Sequence, residues 1–94
     1  MELIYERCCG IDVHKKKLSV CFFVDKKKEK REYGTMTDNI EKLMEWLKNE
    51  NCQTVAMEST GVYWKPIYNI LEEGGMKVYQ EEKLMLEILS GLLI

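Results

Sequence analysis

The spacing of the apolar residues changes once along this chain, and that change limits the possible folds more than any other feature. Three runs of strand-like composition come first, at 8–14, 18–24 and 30–36, and short polar turns join them. Successive strands with such short connections form an antiparallel meander. From residue 40 the apolar side chains recur at helical spacing, as they do on one face of a helix. Those side chains are Ile40, Leu43, Met44 and Leu47.

Helix and strand alternate in the second half of the chain. Asp38 and Glu41 have the form of a capping box, with Asp in place of Ser or Thr, and they predict a helix over 39–50. The largely apolar run 53–58 follows this helix and suits a buried parallel strand.

A second helix is bounded by Pro66 and by Gly74-Gly75. Proline is tolerated only in a first helical turn, so this helix begins at 63–65, and the glycine pair ends it. Residues 76–79 make a last short strand. The predicted order is β-β-β-α-β-α-β with right-handed crossovers, which is a ribonuclease H-like mixed α/β sheet.

Composition indicates one small globular domain, because 46% of the 94 residues are apolar and 32% are charged. The apolar runs are too short to cross a bilayer, and the acidic N-terminus is unlike a signal peptide. We therefore expect a cytoplasmic protein without a membrane segment. The four cysteines contain no Cys-x-x-Cys pair, which argues against zinc and favours reduced, partly buried thiols.

Positive charge is concentrated in one part of the chain. Residues 15–31 hold eight basic and two acidic side chains, a local balance of +6 within a net charge of −2. Such a block can bind nucleic acid, or it can protect an exposed edge strand from pairing with other molecules. Charge alone favours the second interpretation.

Asp12 lies in the middle of the first strand, where aspartate is disfavoured by propensity. In the predicted arrangement the fourth strand is parallel to the first, so Glu58 would lie beside Asp12 at the carboxyl ends of both strands, where α/β sheets bind ligands. Two adjacent carboxylates suit Mg²⁺ or Mn²⁺ and phosphodiester cleavage or strand transfer. That chemistry normally needs one or two further acids.

Each of these residues also has a structural interpretation. Asp12 could be satisfied by water on an uncovered sheet face, and Glu58 could cap the turn that follows it. A solvated strand residue is a better account of His14 than a catalytic base. Packing of the second helix is a better account of Tyr63 and Trp64 than base stacking.

Two motifs around these acids carry a resemblance to a known family. They are Gly10-Ile11-Asp12-Val13-His14-Lys15 and Met57-Glu58-Ser59-Thr60-Gly61-Val62-Tyr63-Trp64-Lys65-Pro66. Together they resemble the N-terminal domain of DEDD-type insertion-sequence transposases, the group related to the Piv invertase, whose N-terminal domain is similar to the RuvC resolvase. The similarity covers 8–79, including Asn69, Leu71 and Glu72.

The resemblance implies a DNA recombinase with a RuvC-like first domain and a separate C-terminal domain. Four acids, Asp-Glu-Asp-Asp, bind divalent metal in this family, and Asp12 and Glu58 match the first two. A serine of the second domain is thought to be the nucleophile, and some members select DNA with a guide RNA. Mg²⁺ or Mn²⁺ is the implied cofactor and DNA the implied partner. Candidate phosphate contacts are Lys15, Lys16, Lys17, Lys26, Lys27 and Lys28.

This sequence departs from the family after residue 79. No aspartate follows Asp38, and the third and fourth acids and the second domain have no counterpart. We therefore expect 1–79 to be a partial RuvC-like domain of a truncated transposase. It should bind Mg²⁺ weakly and be inactive by itself.

Residues 80–94 are a divergent tail in which apolar residues recur at helical spacing. They are Leu84, Met85, Ile88, Leu89 and Leu92, and an amphipathic helix is expected. An alternative function is therefore a non-catalytic dimerisation or regulatory module that pairs through 84–94. A weaker alternative is an actin-like sugar kinase, which shares the opening Gly-Ile-Asp but needs a glycine-rich turn in place of Lys15-Lys16-Lys17.

Overall fold

The computed structural model describes residues 7–24, 27–52, 54–59 and 61–80. Within these ranges the chain has a mixed α/β fold, which confirms the predicted class. The strands are β1 (Arg7–Val13), β2 (Lys17–Val24), β3 (Lys27–Gly34), β4 (Thr54–Ser59) and β5 (Lys77–Tyr79). The helices are α1 (Thr37–Asn49), between β3 and β4, and α2 (Trp64–Glu73), between β4 and β5.

The five strands form one sheet in the order β3-β2-β1-β4-β5. Strand β1 is central and pairs antiparallel with β2 and parallel with β4. The outer pairs are β2 with β3, antiparallel, and β4 with β5, parallel. The carboxyl ends of β1, β3, β4 and β5 therefore lie along one side of the sheet. We call this side, with the connecting residues 14–16, 35–36 and 61–63, the carboxyl edge.

Strand β3 begins earlier than the sequence suggests. The prediction placed an all-charged turn at 25–29 and a strand at 30–36, and this was wrong. Val24 is paired with Lys27, so only two residues connect β2 to β3. Two-residue connections are the commonest in hairpins. The charged residues after them belong to an exposed edge strand, where charge hinders pairing with other molecules.

Alternate residues of the sheet pack against the two helices and form the core. The residues buried on this face are Cys9, Ile11, Val13, Leu18, Val20, Phe22, Val55 and Met57. The helices contribute Ile40, Leu43, Leu47, Ile67 and Leu71. On the opposite face Cys8, Cys21, Phe23 and Ala56 are buried as well. All four cysteines are free thiols, and all are buried, more completely than the partial burial that was predicted.

The predicted capping box of α1 was wrong. The helix begins at Thr37, its N-cap is Met36, and the N-cap makes no side-chain hydrogen bond. Asp38 therefore lies inside the first turn, where its charge favours the positive end of the helix dipole without capping it.

The carboxyl ends of both helices share one motif. In α1, Asn51 has φ +57° and the Cys52 N–H donates to the Leu47 carbonyl. In α2, Gly75 has φ +90° and the Met76 N–H donates to the Leu71 carbonyl. Both are Schellman motifs, which need a residue in the left-handed region just after the helix. The predicted glycine stop of α2 is thereby confirmed.

Several predictions fall outside the described residues. They concern the tail helix and pairing through 84–94, and the position of Lys26. They stay predictions. Among the helices in the described part of the chain, none is long and apolar enough to cross a membrane.

Candidate metal centre

Asp12 and Glu58 are direct partners in the parallel pairing of β1 with β4. Neighbouring strands lie about 4.8 Å apart, and residues in register project to the same face. Ile11 and Met57, one position earlier in each strand, are buried in the helix-packed core. The two carboxylates therefore project side by side from the face opposite the helices, close to the carboxyl edge.

Both acids are half-buried, and Asp12 has a cationic neighbour when His14 is protonated. His14 Nε2 lies 3.2 Å from Asp12 Oδ2, and both side chains are 46% exposed. His14 is exposed, as its interpretation as a solvated strand residue predicts. That interpretation did not include the contact with Asp12. The spacing of two residues was the available signal, because it puts both side chains on one face of a strand.

The Glu58 side chain makes no hydrogen bond with any residue in the described ranges. The interpretation of Glu58 as a turn cap therefore has no contact to support it there. In the turn that follows, Gly61 has φ +85° and the Lys65 N–H donates to the Val62 carbonyl at 3.3 Å. Glu58 remains available to a ligand.

The pair supplies two ligands. Across residues 7–24, 27–52, 54–59 and 61–80, no group of three or more His, Cys, Asp or Glu side chains is placed to hold a metal. Mg²⁺ is commonly bound by one or two carboxylates together with waters and substrate phosphates. The partly exposed carboxylates fit that mode of binding.

The candidate lysines separate into two groups. Lys15, Lys16 and Lys17 lie at the carboxyl edge, where the His14 N–H donates to the Lys17 carbonyl at 2.9 Å and closes the turn. Lys17 is paired with Glu32 at 3.0 Å. Lys15 and Lys16 are exposed and form no ion pair within the described part of the chain.

Lys27 and Lys28 lie at the other end of the sheet. Lys28 is opposite Phe23, which is four residues along β2 from Ser19, the partner of Asp12. That offset is about 14 Å along the strand. The structure therefore brings only the first lysine group close to the carboxylate pair.

A groove of about 560 Å³ opens beside Asp12 over β1, β2 and β3. Its lining includes Ser19, Lys30 and Glu32. Asp12 is paired with Ser19, and Ser19 with Glu32, so these residues continue the row that begins at Glu58. Sequence reasoning missed Ser19 and Glu32, because only the strand register reveals their relation to Asp12.

The two aromatic residues after β4 differ in their surroundings. Trp64 packs against the core, and its ring meets that of Tyr68 edge-on, 5.7 Å between centroids. Tyr63 is the N-cap of α2 and is 42% exposed. The prediction that both pack as part of the helix is therefore confirmed for Trp64 and wrong for Tyr63.

Comparison with solved structures shows the fold of this chain. A protein of unknown function with an actin-like ATPase fold, from Bacteroides thetaiotaomicron, is similar over 98% of this chain, with a TM-score of 0.61 and 17% identity. A Ppx/GppA family member from Aquifex aeolicus is similar over 78% of this chain, with a TM-score of 0.39 and 18% identity. The chain spans 38% and 34% of those two proteins. None of the curated proteins matches it.

Fold and site together define an α/β domain with a carboxylate pair at the ends of two adjacent parallel strands. The chain belongs to the DEDD transposase family typified by IS110 elements: the family described as Transposase matches residues 9–90. Its insertion-sequence character, expected from the two motifs, is thereby confirmed. The matched range continues past residue 79, and the division of the chain there stays a prediction.

Proposed function

We propose that this chain is the N-terminal, ribonuclease H-like (RuvC-like) part of a transposase whose intact form cleaves and transfers DNA strands with divalent metal. Asp12 and Glu58 would hold Mg²⁺ or Mn²⁺. The bound metal would supply charge neutralisation at the reacting phosphate. The proposal includes DNA as the partner, a cytoplasmic location and inactivity of the chain by itself. A guide RNA for the intact parent rests on the family resemblance alone.

The observation that carries the proposal is the pairing of Asp12 with Glu58 in adjacent parallel strands. The two acids are 46 positions apart in the chain, yet they share one face and one edge of the sheet. The sheet order β3-β2-β1-β4-β5 also supports it, because β4 lies beside and parallel to β1 as a ribonuclease H-like sheet requires. Family membership supplies the link to DNA recombination.

The residues around the pair support specific roles. His14 contacts Asp12 and can orient its carboxylate. Lys15 and Lys16, two exposed cations, can hold the DNA backbone at the carboxyl edge. A kinase-like phosphate loop is less well supported, because the β1–β2 turn contains no glycine.

A manganese titration of the ¹⁵N-labelled chain, followed by NMR, tests the metal site. Paramagnetic broadening should spread from the amides of Gly10–His14 and Met57–Ser59. Asp12→Asn should remove this pattern, whereas Glu32→Gln, a carboxylate on the same face that is paired with Lys17, should keep it. Broadening centred elsewhere, or unchanged in Asp12→Asn, would refute the site.

Incubation with supercoiled or branched DNA and Mn²⁺ tests the activity. We expect no cleavage by this chain, because two carboxylates are too few for the complete reaction. If the wild type cleaves DNA and Asp12→Asn does not, the proposed inactivity of the chain is refuted, whereas the proposed metal chemistry is supported. Cleavage that Asp12→Asn leaves unchanged would indicate a contaminant or another site.

A further inference from the structure

Exposed apolar side chains in the described part of the chain are concentrated at the carboxyl edge. The large ones are Met36, Val62, Tyr63 and Tyr79. Met36 follows β3, Val62 and Tyr63 follow β4, and Tyr79 ends β5. Since the carboxyl ends of these strands lie along one side of the sheet, all four occur beside the carboxylates or across the same edge. Val62 and Tyr63 are adjacent and follow the strand that carries Glu58, whereas Met36 follows a strand three positions away.

Val62 and Tyr63 are held outward by the backbone. Gly61 turns the chain with φ +85°, and one edge of the Tyr63 ring lies near it, since a Cβ added at Gly61 would be 3.8 Å from Tyr63 Cε2. Val62 is 65% exposed. Trp64, the next residue, is the one that turns inward to Tyr68. The Tyr63 ring therefore lies close to the turn at Gly61 while 42% of the residue remains exposed.

Chain connectivity limits how far these side chains lie from the carboxylate pair. Val62 follows Glu58 by four residues, which can span at most about 14 Å. Lys15 follows Asp12 by three residues, so its distance from Asp12 is limited in the same way. Exposed cations and an exposed aromatic ring therefore lie at the same edge of the sheet as the two acids, with the ring at the start of the helix that packs on the other face.

We propose that Tyr63, with Val62 beside it, stacks on an unpaired DNA base next to the phosphate held at Asp12 and Glu58. This deepens the proposed function and rests on it. In a duplex each base is already stacked on its neighbours and offers no free face. An aromatic platform near a phosphate site therefore selects single-stranded or locally opened DNA. Lys15 and Lys16 would hold the backbone, and Tyr63 would position the base.

Fluorescence anisotropy with a labelled oligonucleotide and the complete 94-residue chain tests the proposal. We expect tighter binding of the single strand than of the same sequence as a duplex. Tyr63→Ala should weaken single-strand binding roughly ten-fold, in line with measured losses of base–aromatic stacking. Tyr63→Phe should keep it, since the ring remains. An abasic residue in the oligonucleotide should reproduce the loss in the wild type and add little in Tyr63→Ala.

Salt dependence separates stacking from phosphate contact. Tyr63→Ala should leave the slope of log K against log[salt] unchanged, whereas Lys15→Ala should lower it by about 0.7 for one lost contact with a single strand. Met36→Ala is the matched control. Met36 is 69% exposed at the same edge, but β3 is three strand positions from β4, about 14 Å away. The affinity of the Met36→Ala variant for the single strand should equal that of the wild type.

Two results would overturn the stacking role: equal affinity of Tyr63→Ala and wild type for the single strand, or preference of the wild type for duplex. An equal loss in Met36→Ala would also overturn it, because the effect would not be local to Tyr63. The manganese titration, which contains no DNA, reports failure of the metal site separately. A chain that binds metal but shows no Tyr63 effect therefore loses only this inference.

Discussion

Removal of one carboxylate from the Asp12–Glu58 pair should remove most of the metal-dependent stabilisation while leaving the metal-free protein almost unchanged. Without metal, two charges about 5 Å apart repel by roughly 0.8 kcal/mol in a water-like dielectric, and both side chains are partly solvated. The exposed pair of Asp12 with His14 contributes on the order of 0–1 kcal/mol. These small terms oppose each other, so Asp12→Asn should have a free energy of unfolding within about 1 kcal/mol of the wild type.

Metal changes this balance, because only the folded chain brings the two acids together. With a dissociation constant near 1 mM, about 10 mM Mg²⁺ or Mn²⁺ adds roughly 1.4 kcal/mol to the free energy of unfolding. For a domain of this size that corresponds to an increase in Tm of roughly 6–11 °C. Asp12→Asn and Glu58→Gln should each show a small part of this increase.

Differential scanning calorimetry across a metal titration measures the effect. Glu32→Gln is the matched control: it removes a carboxylate from the same face, in the row Glu58–Asp12–Ser19–Glu32, but one that is paired with Lys17. It should keep the full increase in Tm. The reasoning would be refuted by a full increase in Asp12→Asn, or by an equal loss in Glu32→Gln.

Four further substitutions should alter stability in directions set by local structure, each measured by urea unfolding. Met36→Ser provides the N-cap hydroxyl that α1 lacks and should stabilise by about 1 kcal/mol. Asn51→Gly puts glycine at a left-handed backbone position and should stabilise the fold by about 0.5–1 kcal/mol. Gly75→Ala puts a side chain at such a position and should destabilise the fold by about 1–2 kcal/mol. Burial raises the pKa of the Cys8 thiol to about 11. The contribution of this thiol to the free energy of unfolding is therefore complete below pH about 8.5 and is lost as the pH rises towards 11. Near pH 10 this loss is about 1–2 kcal/mol, and Cys8→Ala should flatten the pH dependence by that amount.

Each of these predictions has its own contradicting result, which for Asn51→Gly is a stability no greater than that of the wild type. No gain in Met36→Ser would mean that the first turn of α1 is satisfied in another way. A Gly75→Ala variant as stable as the wild type would contradict the strain argument. The added methyl group has no described atom within 4 Å, so backbone strain is the cause that a loss of stability would indicate. The matching variant at Gly74 differs, because its Cβ would overlap Met44 Sδ. An unchanged pH slope in Cys8→Ala would contradict the assignment to that thiol.

Local patterns predicted the elements where a periodic signal and a stop signal coincide. Helix α2 follows from Pro66 in the first turn, the inward Ile67 and Leu71, and the glycine pair at its end. The same reasoning failed for β3, because its lysines and glutamates have the composition of a turn. The pairing of Val24 with Lys27 decided that strand, and pairing is a contact between segments that composition does not encode.

The sequence by itself determined the chemistry that is available: one carboxylate inside a strand, another at the end of a buried strand, and a lysine block between them in the chain. It also determined the family, because two motifs of specific residues carry the resemblance. Tertiary structure alone decided which residues meet. Parallel pairing of β1 with β4 put Asp12 next to Glu58, and the hairpin registers put Lys15 near the pair and Lys28 at the far end of the sheet. The backbone turn at Gly61 left Tyr63 exposed while Trp64 packs inward. The reason is that a shift of one residue in strand register moves every side chain to the other face, so position in the chain does not determine position in a site.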